Sequence, residues 1–372
     1  MTAISRYARL YFQPTAFVAA PFGLDGRVAR LAGGLLWFSA YEVIAVDGGR
    51  RMASRLVPVE AVDGFLGTLT EEQAGDARAT IARITAQRPA LHLGNRVLPL
   101  DQPQIMLILN MTPDSFSDGG ALIDDPAAAA DAGFAMVEAG AAIVDVGGES
   151  TRPRAQPVWE GDEIARVEPV VRRLAAGGAI VSIDTRKAAV MKAALEAGAA
   201  IVNDVSALCH DPQSVALLAR HDCPVVLMHH QGDPQTMQDR PHYDDALIEV
   251  YDWLAERIAF AEGAGIARSR LIVDPGIGFG KTLRHNLQLL NGLALFHGLG
   301  CPILLGASRK RIIGALSNEA PVDQRLGGSV ALALYGAQMG AQILRVHDVP
   351  ETLQAIRVWR GLRDEALTPP LF

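Results

Sequence analysis

From about residue 100 onward the chain repeats one unit. A short, continuous run of β-branched and other apolar residues ends abruptly in polar residues, and a stretch rich in Ala, Leu, Glu and Arg follows. The runs lie at 105–110, 142–148, 179–185, 200–206, 224–231, 270–276, 302–309 and 342–348. Runs that stay apolar at every position, instead of alternating, belong to strands covered on both faces. The intervening stretches are long enough for crossover helices, which parallel neighbours require. One of them opens with Asp125-Pro126 ahead of an alanine run, a helix-start signal.

Eight such units predict an α/β fold of the (β/α)8, or TIM, barrel type. A doubly wound open sheet is the alternative that counting alone leaves open. The strand ends favour the barrel, because every run finishes in residues capable of chemistry. These are Asn110, Glu149, Asp184, Asn203-Asp204, His229 to Gln231, Asp274, Ser308 to Lys310, and Arg345 to Asp348. A barrel brings all eight ends to one mouth, whereas an open sheet would scatter the outer ones.

Residues 1–90 lack this rhythm and are expected to form a small additional α+β segment, with 91–372 as the barrel domain. Within the extension, 35–46 reads as a strand and 71–87 as a polar helix. Residues 91–100, with Gly94-Asn95, read as a hairpin covering the end of the barrel opposite its mouth. The extension carries no cluster resembling a site, and it is expected to cap the barrel or to join an oligomer interface.

Bulk composition narrows the function little. The 372 residues are 49% hydrophobic and 20% charged, and the net charge of −7 disfavours nucleic acid or an anionic membrane as partner. No run is long enough to span a membrane, and no signal peptide is visible. Three cysteines without a CxxC pair suit a reducing, cytoplasmic setting.

Two segments carry the richest chemistry. Asn110-Met111-Thr112-Pro113-Asp114-Ser115-Phe116-Ser117-Asp118 is a strand end running into a polar loop. Asp145-Val146-Gly147-Gly148-Glu149-Ser150-Thr151-Arg152-Pro153 is a strand end with a close-approach glycine pair, a hydroxyl and a guanidinium. Later come Ser182-Ile183-Asp184-Thr185, Asn203-Asp204, Leu227-Met228-His229, the stretch from Asp274 to Lys281, Ser308-Arg309-Lys310, and Arg345-Val346-His347-Asp348. In this order, on eight successive strands, the blocks resemble the dihydropteroate synthase family over residues 90–372.

The resemblance implies a transferase of folate biosynthesis. It would join dihydropterin pyrophosphate to p-aminobenzoate with Mg²⁺, and would be a sulfonamide target and a homodimer. It assigns the pterin ring to Asp274, whose carboxylate can accept a parallel pair of N–H donors. Asn203, Lys310, Asp184 and Met228 join Asp274 there. Arg345 and His347, two apart and so on one side of a strand, can clamp phosphate oxygens. Asn110 would be the Mg²⁺ ligand, with Asp118 assisting through water. The amine substrate would lie among Thr151, Arg152, Pro153, Phe279 and Ser308, with Val346 also lining the site. Asp184, Lys310, Arg345, His347 and Asp118 form the expected catalytic set.

Plainer readings exist for several residues. The stretch 276–282 imitates a nucleotide-binding loop, but Pro275 stands where that pattern requires Gly. His229 and His230, as strand neighbours, would face opposite ways and could not share a metal ion. Asp145, Glu149 and Asp204 read as buried carboxylates holding loops or arginines. Trp159, Trp253 and Trp359 read as helix-packing residues. Arg154 and His230 depart from the family pattern, which has Gly and Met there. Two other functions compete: a pterin-dependent methyltransferase, which needs no Ser-Thr-Arg-Pro loop or pyrophosphate clamp, and an inactive synthase paralogue, which would have lost its polar site residues first.

Overall fold

The computed structural model describes residues 4–112, 125–150, 156–232 and 236–369. The extension opens with strands β1 (Arg9–Val18), β2 (Ala29–Arg30), β3 (Trp37–Asp47) and β4 (Arg50–Pro58), in a four-stranded antiparallel sheet with β3 at its centre. Helices α1 (Val62–Leu66) and α2 (Glu71–Thr85) follow. The Thr70 hydroxyl accepts from the Gln73 N–H and the Gln73 side chain accepts from the Thr70 N–H, a reciprocal cap that fixes where α2 begins. A two-stranded hairpin, β5 (Leu91–Leu93) and β6 (Arg96–Leu98), then leads into the barrel.

The barrel strands are β7 (Gln104–Asn110), β8 (Ile143–Gly147), β9 (Val181–Asp184), β10 (Ile201–Asp204), β11 (Val225–Met228), β12 (Leu271–Asp274), β13 (Leu304–Leu305) and β14 (Ile343–Val346). They pair in parallel in chain order, and β14 returns to β7. Between β12 and β13 closure rests on a Val273–Ile303 bridge, with the Val273 N–H donating to the Pro302 carbonyl at 2.9 Å. All eight runs therefore become strands of one closed (β/α)8 barrel. The run 302–309 yields only two strand residues, because its later part turns away: Arg309 has a positive φ of 56°.

Helices α3 (Pro126–Ala139), α4 (Glu160–Ala176), α5 (Ala188–Glu196), α6 (Pro212–Leu218), α7 (Ala246–Gly263), α8 (Leu283–Asn291), α9 (Arg311–Leu316), α10 (Leu326–Gln338) and α11 (Val349–Ala366) surround it. Asp125 caps α3 by accepting from the Ala127 and Ala128 N–H groups, as the Asp-Pro signal implied, and left-handed Gly140 ends the helix. No helix among the described residues is long and apolar enough to cross a membrane. All three cysteines are free thiols.

The hairpin closes the barrel floor. Leu91, Leu93, Leu98 and Leu100 pack against Met106, Ile143, Ile201, Val226, Ile272, Leu304 and Ile343, which lie in the first halves of seven strands. The sheet of the extension lies on the barrel's flank, and the two share one apolar core. Tyr11 packs edge-on against Tyr251 and donates its hydroxyl to Asp252 at 2.8 Å. A 3-10 segment, Leu293–Leu299, ends in three successive carbonyls, each taken by an arginine. Arg88 donates to His297 at 3.0 Å, Arg83 to Gly298 at 2.6 Å and Arg268 to Leu299 at 2.9 Å. Two of these three arginines belong to the extension. They sit at the carbonyl end of a helical segment, where positive charge is favoured, and the His297 carbonyl also accepts from the Gly300 N–H at 3.1 Å.

Candidate active site

The site is built at the C-terminal ends of the strands. From β8, Asp145 is fully buried and its Oδ2 accepts from Asn203 of β10 at 3.0 Å and from the Arg345 Nε of β14 at 2.6 Å. The same guanidinium reaches Asp184 Oδ2 of β9 through Nη2 at 2.6 Å. One arginine thus bridges two carboxylates across the mouth. Among the described residues, Asp145 Oδ1 and Asp184 Oδ1 are buried and find no hydrogen-bond partner. Unsatisfied buried acceptors are costly, and two in one cavity suit a ligand rich in N–H donors.

From β12, Asp274 is 5% exposed, and its Oδ1 accepts from the Gly276 N–H at 2.7 Å. Its Oδ2 lies beside Gly306, where an added Cβ would come within 3.8 Å of both Oδ2 and the Arg345 Cβ. Lys310 donates to the Ile277 carbonyl, and its ammonium sits 4.3 Å from the Phe279 ring centroid. His347 Nδ1 lies 3.0 Å from the Ser308 hydroxyl, which also accepts from the His347 N–H at 3.3 Å. Met228 and Val346 end their strands as buried apolar residues.

Burial dominates the electrostatics. It pushes Asp184 up to about 7 against the pull of Arg345. It raises Asp274 as well, opposed by Lys310, the Gly276 N–H and Arg345. It lowers Lys310 to about 8, opposed by Asp274. Arg345 is held above its ordinary range because Asp145 and Asp184 outweigh its burial.

Asn110 ends β7 and faces Gly147. A Cβ at Gly147 would fall 3.6 Å from Asn110 Oδ1 and 3.7 Å from Asp184 Oδ2, so two hard oxygens border the same space beside Gly147. Among the described residues no group of three or more His, Cys, Asp or Glu could hold a metal ion. This donor set fits Mg²⁺, which takes few protein oxygens and completes its shell with water and phosphate.

Of the predicted site residues, Asn110, Asp184, Asn203, Met228, Asp274, Phe279, Ser308, Lys310, Arg345 and His347 come to this mouth, whereas Val346, alternating with Arg345 on β14, turns its side chain into the apolar core outside it. Asp118, Thr151, Arg152, Pro153 and the variant Arg154 lie outside the described residues. The plain reading of the other carboxylates agrees with the structure. Glu149 binds Arg186 and Lys187 at 3.1 Å each, and Asp204 fastens the following loop through Ser206 and Leu208.

Two further expectations need correction. His229 and His230 lie beyond the end of β11, where strand alternation no longer applies, and both rings approach Trp253, at 4.8 and 6.3 Å. Trp159 is 70% exposed just before α4 and packs no helix pair. Sequence reading also missed Lys281 as a member of the mouth. It is 3% exposed and touches His229 and the carbonyls of the 276–279 turn. Its neighbouring glycines were the available signal.

Those glycines yield a prediction. Gly276 has a φ of 67°, and a Cβ there would fall 1.9 Å from the His229 carbonyl. Gly276→Ala is expected to cost about 3 kcal/mol, read as a fall in urea midpoint, because strain and backbone overlap add.

Comparison with known proteins agrees with this geometry. The family model described as "Pterin binding enzyme" matches residues 106–347. The dihydropteroate synthase of Escherichia coli K12 is 49% identical over 265 residues, 70% of this chain and 92% of that protein. That of Neisseria meningitidis serogroup B is 47% identical over 274 residues, 72% of this chain and 96% of its own length. Among solved structures, Yersinia pestis dihydropteroate synthase with a sulfonamide drug complex superimposes with a TM-score of 0.71 at 44% identity. It covers 74% of this chain and 99% of that one. The Xanthomonas albilineans enzyme in complex with 7,8-dihydropteroate gives 0.67 at 45% identity, with the same coverage.

Proposed function

Because this chain belongs to the pterin-binding enzyme family, we propose that it is a dihydropteroate synthase, a transferase that joins (7,8-dihydropterin-6-yl)methyl diphosphate to 4-aminobenzoate. The observation that carries this reading is the ring of buried acceptors and cations at the mouth: Asp274, Asp184, Asn203, Lys310 and Arg345. Asp274 accepts the paired N–H donors of the pterin edge, in water-poor surroundings where such bonds are strong. Asn203, held by Asp145, reads neighbouring ring nitrogens, and Lys310 faces the ring carbonyl. Met228 packs on the flat ring.

In the reaction the amine lone pair attacks the methylene carbon as the carbon–oxygen bond to diphosphate breaks. The diphosphate leaves with that electron pair, and the amine loses one proton to solvent. Asp184 lies where positive charge gathers on the pterin, and Arg345 and His347 take the leaving phosphates. Asn110 would hold Mg²⁺, which when bound neutralises the diphosphate. Catalysis here is positioning and preorganised charge, with no covalent enzyme intermediate. Purified protein should release diphosphate only with both 4-aminobenzoate and Mg²⁺ present. Release without the amine, or none at all, would refute this function.

The acid–base state follows from the site. Asp184 acts ionised, so rate is lost as the pH falls through about 7, and Lys310 acts as ammonium, so rate is lost as the pH rises through about 8. A profile of kcat/KM should be a narrow bell, and Asp184→Asn should remove its acid limb along with most of the rate. Sulfonamides are expected to compete with 4-aminobenzoate. A cytoplasmic homodimer is the expected form, and sedimentation at micromolar concentration measures its assembly.

A further inference from the structure

The stretch 276–282 resembles a phosphate-binding loop and has no place in the mechanism above. Its lysine is the reverse of a phosphate ligand. Lys281 Nζ lies 2.9 Å from His229 Nδ1 and donates at 2.9 Å to the Gly276 and Phe279 carbonyls, and burial lowers its pKa against the pull of Asp274. The His229 carbonyl lies near as well, at 3.3 Å. In a nucleotide loop, backbone N–H groups and the lysine all point at phosphate. Here the lysine points inward and ties the turn to the end of β11.

The turn can lie so close because of its glycines. Gly276, Gly278 and Gly280 all have positive φ, and a Cβ at Gly280 would fall 2.2 Å from the Gln231 carbonyl. Pinned there, the turn offers two groups to the mouth. The Ile277 carbonyl receives Lys310, and the Phe279 ring lies under the same ammonium. Phe279 has its backbone held at both ends, by its N–H to Gly276 at 3.1 Å and by its carbonyl to Lys281.

We propose that Lys281 is a positioning residue for the amine substrate: its ammonium clips the 276–280 turn onto His229, and so fixes Phe279 against Lys310 where 4-aminobenzoate must lie. This deepens the synthase reading and rests on it. The clip requires neutral His229 carrying its proton on Nε2, since Nδ1 accepts. Burial and the adjacent Lys281 both hold His229 well below its ordinary range, in keeping with that state. Lys310 has a second anchor in the field of Asp274, so loosening the turn should affect Phe279 first.

Two measurements on the full-length protein test this. Imidazole nitrogen NMR of the wild type should show His229 as the Nε2–H tautomer, still unprotonated where an ordinary imidazole takes up its proton. An Nδ1–H tautomer would overturn the clip, and needs no variant. In Lys281→Met, the KM for 4-aminobenzoate should rise about tenfold or more, while kcat/KM for the dihydropterin diphosphate changes less than about threefold. Equal losses for both substrates would reduce Lys281 to a stabilising residue and overturn the proposal. Should the wild type itself release no diphosphate, the synthase reading fails separately. Calorimetric binding of 4-aminobenzoate to wild type and Lys281→Met then decides the clip, and equal affinities would overturn it.

Discussion

Asp274→Asn is expected to lower kcat/KM by about 100-fold or more, close to 3 kcal/mol of lost transition-state binding, while the protein stays folded. The loss follows from the acceptor count. The carboxylate oxygen tied to the Gly276 N–H can be kept by an amide oxygen, but the second oxygen becomes an NH2 group facing the substrate's own donors. Stability should move the other way. Burial raises the Asp274 carboxyl in the folded state, so folding favours its protonated form. The resulting penalty is present above the ordinary carboxylate range and fades as the pH falls into it. Asp274→Asn should therefore melt no lower than wild type at pH 8, with any advantage shrinking toward acid. Full activity in this variant, or a collapse in melting temperature, would remove the assignment of the pterin edge to Asp274.

The second large effect concerns the extension. A chain beginning at residue 90 is expected to be insoluble or to lose most of its stability, though every predicted site residue remains. Removing residues 1–89 uncovers the barrel surface facing Tyr11 and Leu31, both buried side chains that meet Tyr251 and Gly340. At about 1.5–3 kcal/mol per side chain, two such losses already take a large share of the margin of a typical domain. The same cut strips Arg83 and Arg88 from the carbonyls of Gly298 and His297. Arg88→Met tests that contribution within the intact chain and should cost about 2 kcal/mol by removing the charged donor that the His297, Arg83 and Ala86 carbonyls share. A truncated barrel that melts with the full chain and turns over normally would make the extension dispensable.

How legible all this was depends on the kind of interaction. Runs such as 143–147 are apolar throughout because the barrel covers both faces, and local composition reveals that. The floor was legible as well, since Gly94-Asn95 marks a hairpin and its leucines alternate. Arg345 was visible as a site residue, but its bridge to Asp145 and Asp184 was not, because partners 200 and 161 residues away leave no local trace. Lys281 was given no role because its stretch imitates a phosphate loop; Pro275 argues against that loop, but only the structure shows the lysine turned inward. The flank contact of the extension was hidden for a similar reason. It depends on where a distant 3-10 segment turns its last carbonyls.

That flank contact also bears on how the chain reaches this state. Tyr11 meets Asp252 across 241 residues, Arg83 meets Gly298 across 215, and Leu35 accepts from Arg363 across 328. The extension is synthesised before the barrel and therefore finds its resting surface only when nearly the whole barrel has been made. Until then its apolar sheet face has nothing to cover it, and contacts of such long range are slow to form. Synthesis of this protein should thus include an interval of exposed sheet that a barrel without the extension never passes through, and chaperone demand should track the extension more than the catalytic unit.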